Sequence, residues 1–251
     1  MLRWPHEPFW LVLPRTNPKS GLDNVEMIRM LKIVRASAIK ARTQAINQMK
    51  ALIVTAPVEL RQTLAGLNVR RLIARCARFR PGKLVAPLAA AKHALRSLAR
   101  RHDQLNSEVE VIDGELVRLT SETAPALVEV FGVGPDTAAT LLVTAGSNPE
   151  RLRSEAAFAA LCGVNPIPAS SGKTNRHRLN RGGDRQANSA LYRIVLVRLR
   201  YHEPTKEYMS RRVGEGMTKL EVIRCLKRYV ARQIYPIIRA SGGQNIVAVA
   251  C

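Results

Sequence analysis

With 251 residues, 46% hydrophobic and 24% charged, the chain can bury a sizeable core as one large or two small domains, which excludes a disordered polyelectrolyte. Its 40 Lys and Arg stand against 19 Asp and Glu, a net charge of +21, and such an excess repels itself unless a polyanion or counterions neutralise it. Cys76, Cys162, Cys225 and Cys251 lie far apart, which excludes a CxxC zinc site and a disulfide framework.

Arg greatly outnumbers Lys, and Arg favours bidentate contact with phosphate, so a nucleic acid is the expected partner. An anionic membrane surface and a preference for Arg codons are the alternatives. Neither accounts for the scarcity of acids between Thr174 and Arg200, where Asp184 stands alone. No apolar run reaches membrane-spanning length, so no membrane partner is expected. Few aromatics and abundant Ala and Leu favour helix, and the expected fold is all-α.

Residues 1–22 hold four prolines and two tryptophans without a period and read as an unstructured leader. Pro5, Pro8 and Pro14 break its apolar patch, and no small-residue cleavage site follows, against a signal peptide. A long helix is expected from Asp23 or Asn24, either of which can cap it, to the region of Pro57. Its apolar positions are Met27, Met30, Leu31, Val34, Ala38, Ala41, Ala45, Met49, Leu52 and Ile53. A shorter helical stretch from Val58 to Phe79 is interrupted at Gly66. Leu88, Ala91, Leu95, Leu98, His102, Leu105, Val109, Ile112, Leu116 and Leu119 then follow alternating steps of three and four, a heptad seam. The two long helices predict an antiparallel coiled-coil arm over 23–122, or a seam that zips against a second copy to give a homo-oligomer.

A compact helical domain is expected over 123–239. Gly132 and Gly134, with Ala138 four residues on, have the spacing of a helix-hairpin-helix. Its glycines allow a tight turn, and the N–H groups of the following helix point at a phosphate. An ordinary helix connection is the alternative. Ser154 predicts a cap for a helix over 155–162. Helices are further expected over 188–201, over 205–213 after a break at His202-Glu203-Pro204, and over 219–238, where Thr218 and Glu221 form a capping box. The tail from 240 reads as disordered.

Chemistry concentrates in Cys162–Arg200. Two adjacent hydroxyls, Ser170 and Ser171, precede Gly172-Lys173, and Arg176, His177, Arg178, Arg181, Gly182-Gly183, Asp184 and Arg185 follow. A hydroxyl among cations can attack a phosphodiester while the cations hold the phosphate and stabilise the developing charge. A basic loop that only touches phosphates is the alternative. Ser171-Gly172-Lys173-Thr174 imitates the end of a nucleotide-binding loop, but Ile167 stands where that motif needs its first Gly. Ser171, His177 and Asp184 have the inventory of a hydrolase triad without an elbow motif to fix them. No cluster of carboxylates suggests a magnesium site.

Together these stretches resemble a known family. Gly132-Val-Gly-Pro-Asp-Thr-Ala-Ala, Phe158-Ala-Ala-Leu-Cys-Gly-Val-Asn-Pro, Ala169-Ser-Ser-Gly-Lys-Thr, Arg178-Leu-Asn-Arg-Gly-Gly-Asp-Arg-Gln-Ala-Asn and Arg224-Cys-Leu-Lys-Arg-Tyr-Val-Ala-Arg are similar to the C-terminal domain of bacterial insertion-sequence transposases of the IS-one-ten group. Val25-Glu-Met-Ile-Arg-Met-Leu-Lys resembles that family's central coiled coil. The resemblance implies a recombinase that cuts and rejoins DNA through a serine, with a non-coding bridge RNA choosing the sites. The implied nucleophile is Ser171, with Ser170 as the alternative. Lys173, Arg176, Arg178, Arg181 and Arg185 are the implied contacts to phosphate or guide RNA. It implies a bacterial cytoplasmic, nucleoid-associated protein. Family members begin with a RuvC-like domain whose four acidic residues hold magnesium. Family-like sequence starts here only near Leu13, so the expectation is a truncated copy with no cofactor of its own, inactive alone.

Overall fold

The structure, a computed structural model, describes residues 23–146, 152–169 and 177–244. Among these, ten helices and a two-stranded sheet occur in the order α1 (Asn24–Thr55), α2 (Val58–Leu64), α3 (Val69–Ala77), α4 (Pro87–Thr123), α5 (Pro125–Val128), α6 (Pro135–Ala145), α7 (Glu155–Leu161), β1 (Pro166–Pro168), β2 (His177–Leu179), α8 (Arg185–Tyr201), α9 (Glu203–Gly214) and α10 (Lys219–Gln244). The fold is predominantly all-α. The chain divides into two compact units, one of residues 27–129 and 133–139, the other of 23–26, 130–132 and the described residues from 140 onward.

The first unit is organised by its two long helices. Asp23 Oδ1 accepts from the Glu26 N–H at 2.9 Å and starts α1, while α4 starts with Pro87 in its first turn, where a missing N–H costs nothing. Arg35 Nε donates to Asp113 Oδ1 at 2.5 Å, and Arg42 Nη1 donates to Asn106 Oδ1 at 2.6 Å. Seven residues forward on α1 thus match seven residues back on α4, which makes the pair antiparallel with a heptad interval. Leu95, Val109, Ile112, Leu116 and Leu119 of the α4 seam are buried, as their spacing predicts. Near the α2–α3 end, Leu60, Leu72, Cys76, Met49 and Leu95 close a core. Burial there pushes the Cys76 thiol up to about 11, since desolvation disfavours the thiolate.

The apolar stripe expected on α1 is only half right. Ala38, Ala45 and Met49 face inward together with Ile28, but Met27, Met30, Val34 and Leu52 are exposed. The seam instead includes the half-buried Arg35 and Arg42, whose polar partners on α4 satisfy them. Ala and Met are apolar on more than one face of this helix, so composition alone cannot select the buried one.

The second unit packs α8 against α9 and α10, and α7 against α10. Phe158 is fully buried and meets the Tyr235 ring at 6.1 Å, and the Tyr235 hydroxyl donates to the Leu152 carbonyl at 2.7 Å. Leu191, Ile194, Val195 and Ile234 complete the core. Arg228 forms a bidentate ion pair with Glu155 that ties α10 to the first turn of α7. The expected caps are present: Ser154 Oγ accepts from the Ala157 N–H at 3.1 Å, and Glu221 accepts from the Thr218 N–H at 2.9 Å. Those Thr218 bonds hold the Glu221 carboxyl below its ordinary range.

Three local readings need correction. His202-Glu203-Pro204 does not break the chain for long, because Pro204 occupies the first turn of α9, where proline is compatible with a helix. The last helix runs through Pro236 to Gln244 rather than ending before 240. Within the expected irregular loop, β1 pairs antiparallel with β2, Pro166 opposite Leu179 and Pro168 opposite His177. The leader 1–22 and residues 245–251 lie outside the described residues.

Leu95→Ala is expected to lower stability by about 2–5 kcal/mol through loss of a fully packed side chain. The exposed Val111→Ala should stay within about 0.5 kcal/mol. Urea unfolding followed by helical circular dichroism measures both.

Candidate nucleic-acid interface

Ser170, Ser171, Lys173 and Arg176 lie outside the described residues. The structure does describe what stands on either side of them. Pro168 is the cross-strand partner of His177, so residues 169–176 connect two paired strand ends. Arg178 sits on β2 opposite Ile167, and all three β2 residues are exposed.

Below the hairpin, one backbone approach fixes the arrangement. Gly163 ends α7 with φ +65°, a left-handed conformation that favours glycine. Gly183 lies against it so closely that a Cβ on Gly183 would overlap the Gly163 backbone and come within 2.9 Å of the Cys162 carbonyl carbon. The Asp184 N–H donates to the Leu161 carbonyl at 2.7 Å, and Asp184 Oδ1 then caps α8 by accepting from the Ala187 N–H at 2.8 Å. Asp184 is therefore a structural cap in the arrangement described.

Two asparagines stitch this junction. Asn180 Nδ2 donates to the Ala160 carbonyl at 3.2 Å and to Asn165 Oδ1 at 2.7 Å, while its Oδ1 accepts from the Gly182 N–H at 2.8 Å. Asn188 Nδ2 donates to the Cys162 and Gly163 carbonyls, both at 3.0 Å, and its Oδ1 accepts from Lys227 Nζ at 2.9 Å. One side chain on α8 thereby links the end of α7 to a lysine on α10.

These elements frame an open cleft of about 450 Å³, lined by Arg181, Arg185, Arg224 and Lys227, by Asn180 and Asn188, and by Tyr192, Leu179, Leu220 and Ile223 beside Gly163 and Gly183. None of the lining residues is acidic. Burial, aided by the Arg224 charge, pulls the Lys227 ammonium below the usual lysine range, which marks a cation short of compensating charge. The buried Cys162 thiol is pushed up to about 12, by burial first and then by the Asp184 charge, both of which disfavour the thiolate.

Of the expected contacts, Arg181 and Arg185 meet in this cleft, and Arg178 stands on the hairpin above its base. Sequence reading missed Asn188, Tyr192, Arg224 and Lys227 as site residues. The available signal was the step of three between Arg224 and Lys227 on one helix, which puts both on one face. Gly132 and Gly134 stand before α6 and are not among the residues lining the cleft. Gly132, at φ +85°, packs against Ile194 and Arg198 of α8, with Arg198 Nε donating to the Phe131 carbonyl at 2.9 Å. The Gly134 N–H donates to Thr137 Oγ1 at 3.0 Å. No group of three or more His, Cys, Asp or Glu side chains able to hold a metal ion occurs among the described residues.

A helical unit with a cationic, carboxylate-free cleft below a basic hairpin has the chemistry of a polyanion-binding protein. Residues 124–210 match the model of the family described as Transposase IS116/IS110/IS902 family. This stretch, from α5 into α9, contains the hairpin and the α8 side of the cleft, and its similarity supports an insertion-sequence transposase. No curated protein matches the chain. No helix among the described residues is long and apolar enough to cross a membrane.

The junction predicts a contrast between neighbouring glycines. Gly183→Ala should lower the melting temperature by several degrees or prevent folding of the second unit, because backbone would have to move. Gly182→Ala, whose new Cβ would meet only Asn180 Oδ1 at 3.4 Å, should melt close to wild type. Thermal denaturation of the two variants checks this.

Proposed function

We propose that the chain serves DNA transposition, with Ser171 as the nucleophile that cuts and rejoins strands, and Ser170 as the alternative. What supports the reading is that the hydroxyl pair falls in sequence between the two paired strands, inside the matched stretch, while described residues on either side of it in sequence, Gly163 and Leu179 to Arg181, line a cationic cleft. The serine Oγ attacks phosphorus, the bond to the leaving deoxyribose oxygen breaks, and that oxygen takes up a proton while the serine proton passes to a base. The resulting serine–phosphodiester conserves the bond for rejoining to a new strand. Arg178, Arg181 and Arg185, with Lys173 and Arg176, hold phosphate and offset charge in the transition state.

Partners in this reading are DNA, a non-coding bridge RNA, and a second copy of the chain joined through the coiled-coil arm. Magnesium belongs to the acidic RuvC-like domain of the family. A second reading, a non-catalytic DNA- or RNA-binding transposase remnant, is favoured by the cleft itself, whose cations suffice for binding without chemistry.

Trapping distinguishes them. The protein is incubated with the ends of its insertion sequence and the bridge RNA, with the acidic domain supplied in trans, and then denatured. A covalent protein–DNA adduct is expected that Ser171→Ala abolishes and Ser170→Ala retains. Loss with Ser170→Ala alone would move the nucleophile by one residue, and no adduct under any condition would favour the remnant.

A further inference from the structure

The cleft is more than a positive surface, because its wall joins cations to an aromatic ring. Lys227 Nζ is held by Asn188 Oδ1 at 2.9 Å, which leaves the ammonium two further donors. Arg224 lies one turn earlier on α10, and Arg181 and Arg185 approach from the start of α8. None of these four cations makes an ion pair with a described carboxylate, unlike Arg35, Arg118 and Arg228 elsewhere in the chain. Tyr192 lies two helical turns beyond Arg185 on α8 and keeps part of its ring exposed at 39%, and Leu220 and Leu179 leave apolar surface beside it at 64% and 49%.

We propose that this cleft takes a single nucleotide unit of an unpaired strand, its phosphate on Lys227, Arg224 and Arg185 and its base against Tyr192 with Leu220 and Ile223. A phosphate needs the cations alone, but a cation-only site would not include an exposed ring and leucines in the same wall. A base within a duplex is stacked on both faces and cannot lie on Tyr192, whereas an unpaired base can. The fit is therefore to single-stranded DNA or RNA, and sequence preference is weak because every base has a face to stack. The lowered affinity of Lys227 for its proton agrees with a desolvated cation that a phosphate would compensate. The inference rests on the nucleic-acid part of the proposed function and not on the serine chemistry.

Fluorescence anisotropy with labelled oligothymidylate, oligouridylate and an oligothymidylate–oligoadenylate duplex tests it on the full chain. Tyr192→Ala should weaken binding of single strands by about 5- to 100-fold and leave the duplex within two-fold or so, as loss of one stacked base requires. Tyr192→Phe, which keeps the ring, should bind as wild type and shows that the position tolerates change. Lys227→Gln should reduce the slope of log affinity against log salt by about one. Whichever of the DNA and RNA strands binds tighter identifies the strand the cleft prefers. Equal weakening of single strand and duplex by Tyr192→Ala, no weakening at all, or an unchanged slope in Lys227→Gln would overturn the proposal. The assay contains no cleavable junction and reads binding alone, so its failure is separate from the absence of a serine adduct.

Discussion

The second unit depends on the contact between the Gly163 and Gly183 backbones. Only the absence of a side chain at Gly183 lets the turn after the hairpin lie on the end of α7. That approach brings the Asp184 N–H onto the Leu161 carbonyl, sets Asp184 as the cap of α8, and places Asn188 one turn later against the same α7 end. Asn188 then carries the constraint to Lys227 on α10. Hairpin base, helix start and cleft lysine thus share one geometric origin. The strand pairing of Pro166–Pro168 with His177–Leu179 stands on this fixed base, and a functional site needs such a base if its groups are to meet a substrate in one geometry.

In the first unit, cations on the long helices meet acids: Lys32 pairs with Asp136 at 2.9 Å, Arg35 with Asp113, and Arg118 with Glu115 and Glu122. In the second, Glu155 engages Arg228 and Glu221 caps α10, while no acid lines the cleft. Around the cleft, Arg181, Arg185, Arg224 and Lys227 therefore gather positive charge that no carboxylate in the lining offsets. Such a surface raises the local concentration of a polyanion and gives up affinity steeply with salt.

Local signals were the legible part of the sequence. Ser154 and the Thr218 and Glu221 box depend on residues within a turn, and both are present as read, while five of the ten apolar-spaced positions read on α4 are buried. Pairwise and long-range features were not legible. Met27, Met30 and Val34 satisfy a helical period, but only the register with α4 decides that Arg35 and Arg42 take the inner positions. Pro166–Pro168 and His177–Leu179 are strands too short to show alternation, and their pairing spans the residues between them. The cations most clearly missed, Arg224 and Lys227, read as the outer face of a basic helix. Which face of α10 meets α8 is a tertiary fact, and it turns those two residues into part of a wall with Tyr192.

Hydrogen exchange of the backbone amides measures the junction directly. If Asn188 holds it, the Asp184 and Val164 N–H groups, bonded to Leu161 and Ala159, should exchange slowly in the native protein and about ten-fold or more faster in Asn188→Ala, for a loss of roughly 1.4 kcal/mol or more, while amides in the middle of α4 are unchanged. Unchanged protection of Asp184 and Val164 in that variant would contradict the account, because Asn188 would then neither hold the α7 end against α8 nor carry that constraint to Lys227.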